Sequence, residues 1–130
     1  MLVQKTEYGL EIKLHDRMSL DDLKIMGSQI EPILLEYKSQ NKKLSILLDL
    51  SEVQRQDPLV MEEIGKGMIL AKEAGVEKTA LIFGSSIAKL QMATKARESG
   101  VYHLERYFSI TDDNYKEKAL NWVKNGIETQ

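Results

Sequence analysis

The stretch ILLDLSEVQRQDPLVMEE, Ile46 to Glu63, decides how the chain folds. It opens apolar, breaks at Asp49-Leu50-Ser51, runs polar for several positions and restarts at Asp57-Pro58. Its apolar start belongs to Leu44–Leu50, a nearly continuous run without helix-length support, which suits a strand covered on both faces. Its end opens a helical pattern over Pro58–Ala74, where Val60, Ile64, Met68 and Ala71 recur every three or four residues and Gly75 supplies a C-terminal cap. A buried strand that feeds a helix through a short polar loop is half of a crossover unit, so the rest of the chain is read for its partners.

Upstream, Leu2–Thr6 and Leu10–Leu14 flank Tyr8-Gly9, and Leu10, Ile12 and Leu14 alternate with Glu11 and Lys13. That period of two predicts a hairpin with one wet face. Ser19 followed by Asp21 and Asp22 marks a helix start, and Leu20, Leu23, Ile30, Ile33, Leu34 and Tyr37 fall near one helical face. Gly27 and Pro32 interrupt that pattern, which predicts a kink or two helical pieces. Downstream, Thr79–Phe83 reads as a second buried strand and Ile87–Arg97 as a helix stopped by Ser99-Gly100. Leu104–Phe108 reads as a last strand, and Asp112–Lys124 as a last helix with Tyr115, Ala119, Trp122 and Val123 inside.

Strands alternating with helices predict an α/β fold, with a mostly parallel mixed sheet of about five strands, an antiparallel N-terminal edge hairpin and about four helices. Residues 1–130 read as one domain: there is no internal repeat, low-complexity segment or linker. With 42% hydrophobic and 29% charged residues the composition is that of a folded globular chain. A formal net charge of −2 leaves no electrostatic footprint for nucleic acid. The absence of cysteine removes disulfides, thiolate nucleophiles and sulfur-ligated metals. MLVQKTEYGLEI lacks the apolar core of a signal peptide and no run approaches the ~20 apolar residues of a membrane span, so a cytoplasmic location is expected.

In an open sheet of this kind ligands meet the loops at the carboxyl ends of the parallel strands. Two such loops, Ser51–Asp57 and Gly84–Ser86, leave consecutive buried strands and are expected side by side. Asp57-Pro58 carries a structural role on its face: the carboxylate would accept helix N–H groups, and proline suits the first helical position. Ser85, Ser86 and Lys89 form a candidate anion cradle at a helix start, without the spacing of a phosphate-binding P-loop; capping by Ser85 is the plainer role. His15 and His103 are the two histidines, far apart and in no ligand-pair spacing, so neither a metal nor a cofactor is expected. No Gly-x-Ser-x-Gly elbow is present, and no catalytic residue is assigned. The Pro58–Ala74 helix has apolar residues beyond one stripe (Leu59, Val60, Met61, Ile64, Met68, Ile69 and Leu70), which suggests surface left over for another protomer, a partner or a membrane interface.

LDLSEVQRQDPLV resembles the central signature of the STAS domain, the anti-sigma-factor antagonist (SpoIIAA-like) fold. In that family a buried strand ends in Asp, often Asp-Leu-Ser, a second Asp follows, and a phosphorylatable Ser or Thr opens the next helix. Asp49, Leu50, Ser51 and Asp57 match, the element order agrees over essentially the whole chain, and RYFSITDDNYKEKALNWV is similar to the tail of the stand-alone branch. The departure is Pro58, which stands where the switch hydroxyl would be and cannot be phosphorylated. The resemblance therefore implies a non-enzymatic, regulatory protein-interaction module with its contact surface at Asp49, Ser51, Arg55, Asp57 and Met61. Its occupant would be a protein partner or a second copy of the chain. The alternative is a small apolar ligand or lipid, held in a pocket of several hundred Å³ under a movable 58–74 helix. An enzyme is the least expected class; it would bring His15 or His103 within hydrogen-bond reach of an Asp or Ser in a cleft.

Overall fold

The computed structural model describes residues 1–128. A five-stranded sheet in the order β1-β2-β3-β4-β5 forms the centre. Its strands are β1 (Leu2–Lys5), β2 (Gly9–Asp16), β3 (Leu44–Val53), β4 (Val76–Phe83) and β5 (Glu105–Ser109). β1 pairs antiparallel with β2, and every other pair is parallel. The helices are α1 (Leu20–Ser39), α2 (Pro58–Glu73), α3 (Ser86–Glu98) and α4 (Tyr115–Asn125), with a 3₁₀ turn at Tyr102–Leu104 before β5.

Strand alternation sorts the side chains into two cores. Leu10, Ile12 and Leu14 of β2, with Ile46, Leu50, Leu81 and Phe83, bury against α1, α2 and α3 on one face. Leu47, Ala80 and Ile82 point the other way, against Ala119, Trp122 and Val123 of α4. Consecutive parallel strands joined by same-handed crossovers place their helices on one side, which is why α1 to α3 share a face and α4, leaving the last strand, is free to cover the other.

α1 departs from expectation. It runs unbroken from Leu20 to Ser39 with Pro32 inside it. Pro32 and Gly27 are exposed, so the carbonyl that Pro32 leaves without a donor can face water. Leu23, Met26, Ile30, Ile33, Leu34 and Tyr37 hold the inner face to the core on both sides of the proline. The helix start is as read: Ser19 Oγ accepts from the Asp22 N–H at 3.0 Å while the Asp22 carboxylate accepts from the Ser19 N–H at 2.8 Å, a reciprocal capping box. That bond holds the Asp22 carboxyl below the usual carboxylate range.

Candidate functional site

The carboxyl ends of β2, β3 and β4 meet at one end of the molecule, and the Asp49-Leu50-Ser51 break lies among them. Lys13 pairs with Asp49 but His15 pairs with Glu52, so β3 carries one residue more than β2 between those rungs. This is a β-bulge, and the Asp-Leu-Ser sequence is what pins it. Asp49 Oδ1 accepts both the Ser51 N–H at 3.1 Å and the Ser51 hydroxyl at 2.7 Å. Ser51 is thus a strand residue, not the first residue of a loop as expected, and the loop itself is short, Gln54–Asp57. Beyond the bulge Glu52 pairs with Lys13 at 2.9 Å, tying β3 to β2 again. The two loops do lie side by side: a Cβ on Gly84 would fall on the Ser51 carbonyl oxygen, and Ile110 stands next to the same glycine.

Gln56 organises this end, and nothing in the sequence marked it. It is 1% exposed. Its Oε1 accepts from the Met18 N–H at 2.8 Å, and its Nε2 donates to the carbonyls of Asp16 at 2.9 Å and Gln54 at 2.7 Å. Its backbone is read in turn by Gln91 of α3: the Gln56 N–H donates to Gln91 Oε1 at 2.8 Å and Gln91 Nε2 donates to the Gln56 carbonyl at 2.9 Å. One buried amide therefore fastens the turn before α1, the turn before α2 and the first half of α3 into a single unit. A neutral side chain with both donors and an acceptor is what such a junction requires, since a charged one would be stranded there.

The expected contact residues divide. Asp57 occupies the N-cap position of α2, with Pro58 at the first helical position, but its side chain makes no capping bond. Instead it accepts from Arg17 at 2.6 Å. A charge-assisted bond to a guanidinium is stronger than one to a neutral N–H, and the proline has already removed one donor. Both side chains are more than 60% exposed. Arg17→Ala is expected to shift unfolding stability by under about 0.5 kcal/mol, checked by urea titration, because exposed pairs contribute little. Arg55 is exposed beside them. Met61 is not at the surface: it is 6% exposed and belongs to the core with Val60, while Gly65 one turn on packs against Lys95 of α3 and Ser99, the residue that follows it. α2 turns that face toward α3, which draws Met61 inward. The apolar residues left outside on α2 are Leu59 and Leu70, 66% and 63% exposed, with Ile69 also exposed.

Ser85 caps α3, accepting from the Ala88 N–H at 3.2 Å, and Ser86 and Lys89 stand exposed on the first turn. The outer face of the same turn shows Ile87 and Leu90, 59% and 66% exposed. His15 Nδ1 lies 3.3 Å from Asp16 Oδ2, and both line a pocket of about 160 Å³ together with Met1, Arg17, Met18 and Asp22. His103 is exposed on the 3₁₀ turn. A groove of about 460 Å³ opens at the opposite, amino end of the strands, between Tyr8, Tyr37, Lys42, Lys43 and Lys78. It is not beneath α2, whose inner residues Val60, Met61, Ile64 and Met68 pack on the sheet. Among the described residues no helix is long and apolar enough to cross a membrane.

A mixed sheet with three helices on one face, one on the other and a bulged Asp-Leu-Ser strand at its centre defines an α/β protein of the SpoIIAA-like fold. The solved structure of an uncharacterised protein of the DUF3478 family from Shewanella loihica PV-4, described as having a SpoIIAA-like fold, is similar with a TM-score of 0.56 and 14% identity, over 93% of this chain and 90% of that one. Likeness at that identity establishes the fold alone. No known family's sequence pattern matches the chain, and no curated protein matches it.

Proposed function

We propose that the protein is a non-enzymatic, cytoplasmic regulatory module that binds a protein partner with the carboxyl end of its sheet. The reading is carried by the pairing of a rigid base with an exposed apolar centre. Gln56 locks the loops at this end, and Ile87 and Leu90 stand exposed at the start of α3, the helix whose Gln91 binds the Gln56 backbone. Leu59 and Ile110 are exposed at the same end, and Arg17, Arg55, Asp57 and Lys89 give it a mixed polar border. An apolar centre with a charged rim on a preorganised scaffold is the anatomy of a protein contact surface. Pro58 removes the phosphorylation switch that the resembling family uses at this position, so control would come from partner availability or from another site.

The test is native mass spectrometry of the protein from its own source, with attached species retained. A complex with a second polypeptide is expected. The paired substitution Ile87→Glu and Leu90→Glu is expected to abolish that complex while the unfolding temperature moves by no more than about 2 °C, since both residues are at the surface. An added mass of a few hundred daltons in place of a polypeptide would favour a small apolar ligand or lipid. Survival of the complex in the double variant would sink the assignment of this surface.

A further inference from the structure

β5 is the outer edge of the sheet and carries a carboxyl group where a carboxylate is least welcome. Glu105, its first residue, is 6% exposed. Its Oε1 accepts from the Tyr107 hydroxyl at 2.5 Å, two residues along the same face. The Tyr107 ring packs on Phe83 with centroids 5.9 Å apart and stacks on Tyr102 of the 3₁₀ turn at 5.7 Å. Among the described residues no cation is paired with the Glu105 carboxyl group. β4 presents Thr79 across the ladder. From α3, Arg97 lies over the outer face of Tyr102 at 4.3 Å, and Lys95 is paired with Glu98. His103 is exposed, and Arg106 lies over Trp122 at 4.2 Å on the other face of the sheet and pairs with Glu128, while its guanidinium donates to the backbone carbonyls of Glu105 at 2.8 Å and His103 at 3.0 Å and not to the Glu105 carboxyl. A buried carboxyl whose one hydrogen-bond partner is a neutral hydroxyl, and with which no cation among the described residues is paired, is favoured there in its neutral form.

We propose that the buried Glu105 carboxyl is a proton-dependent latch, which holds β5 and the 3₁₀ turn onto the sheet while it keeps its proton and loosens when the proton leaves to solvent, the Tyr107 hydrogen bond offsetting only part of that loss. Burial pushes the Glu105 carboxyl up to about 7, against the opposing effect of the Tyr107 hydrogen bond. Tyr107 itself is raised well above the ordinary phenol range by burial and by this carboxyl, so it stays a donor throughout. In a locally opened state Glu105 would titrate as an ordinary carboxyl. The latch is therefore fully closed below that ordinary range and is lost as pH rises through about 7.

The experiment is amide hydrogen exchange on the full chain, corrected for intrinsic rate, together with the ¹³C titration of the Glu105 carboxyl. Protection of the Arg106–Ser109 amides is expected to fall about tenfold per pH unit between roughly pH 5 and 7 and to level off above about 8. Glu105→Gln, which keeps the hydrogen bond and cannot ionise, is expected to give a flat profile. Tyr107→Phe removes the donor that favours the carboxylate and is expected to move the carboxyl midpoint further up. A carboxyl midpoint in the ordinary range of about 4 to 5 would overturn the proposal without any variant. So would a pH slope that persists in Glu105→Gln, or one that does not centre on β5.

Discussion

Gln56→Leu is expected to destabilise the protein by about 3 kcal/mol, a large share of the ~5–15 kcal/mol that a domain of this kind has to lose. The leucine nearly matches the volume of the amide, so the loss is electrical. The buried Met18 N–H is left without an acceptor, the Gln54 carbonyl loses its side-chain donor, and the Asp16 carbonyl keeps only the Gln54 N–H at 3.2 Å. A buried donor with no partner costs about 1–3 kcal/mol, and carbonyls with a second route to water cost less. The measurement is urea unfolding followed by Trp122, the single tryptophan, which is buried against the sheet. At an m-value of about 1–3 kcal/mol per molar for a chain this size, the midpoint should fall by roughly 1–3 M with m unchanged. Gln56→Glu separates hydrogen bonding from packing. Its carboxylate can accept from Met18 but faces two carbonyls, so it should be as unstable as leucine at neutral pH and partly rescued at low pH, where a protonated carboxyl can donate once. A loss under about 1 kcal/mol for Gln56→Leu would mean that the three turns are held by their own backbone bonds and that the amide is incidental.

The network around Gln56 also shows where sequence reading stops. The β2 strand was legible because Leu10, Ile12 and Leu14 repeat every second residue, a pattern only a half-covered strand needs. β3 was legible because a continuous apolar run signals cover on both faces, which the structure supplies through α1–α3 and α4. Gln56, by contrast, joins partners 38 and 40 residues earlier and 35 residues later. No local period records such a contact, and the residue sits among Gln54, Arg55 and Asp57 looking like one more polar loop position. Local chemistry favours the Asp57 carboxylate as a helix cap; Arg17, forty residues away, takes it instead. Pro32 misled for the converse reason. Its local effect is real, but the apolar face of α1 spans it, and packing on both sides outweighs a missing hydrogen bond on the wet side. Met61 fell on the wrong side of α2 because the count of apolar residues tells how much is left over, not which residue turns out. Which one it is depends on where α3 lies.

Gly9→Ala is expected to be the most damaging single substitution in the chain. Gly9 opens β2 with φ at +145°, a region that residues with a side chain rarely enter. A Cβ there would fall on the backbone carbonyl oxygen of Ser45 in β3, with the Ser45 nitrogen and Leu44 Cβ also within contact. None of the three is a flexible side-chain tip that can move aside. The Gly9–Ser45 rung begins the β2–β3 ladder, and the Ser45 N–H donates to the Tyr8 carbonyl at 2.8 Å beside it. Displacing that rung pushes the start of β2 away from the central strand and disturbs the register on which Leu10, Ile12 and Leu14 depend to reach the core. Strain in the dihedral contributes roughly 1–3 kcal/mol and the overlap a comparable amount, so a total above about 4 kcal/mol is expected. The outcome should be insoluble protein on expression, or a Trp122 transition already complete at low urea. Gly27→Ala is the matched control. The same added methyl lies on an exposed position inside α1 with nothing within 4 Å, and there alanine should stabilise by about 0.5–1 kcal/mol. If Gly9→Ala folded as well as Gly27→Ala, the β2–β3 rung would have to yield far more easily than a paired backbone at the centre of a sheet should. The close approach of Gly9 to Ser45 would then be a convenience of packing and no longer the point from which the sheet takes its register.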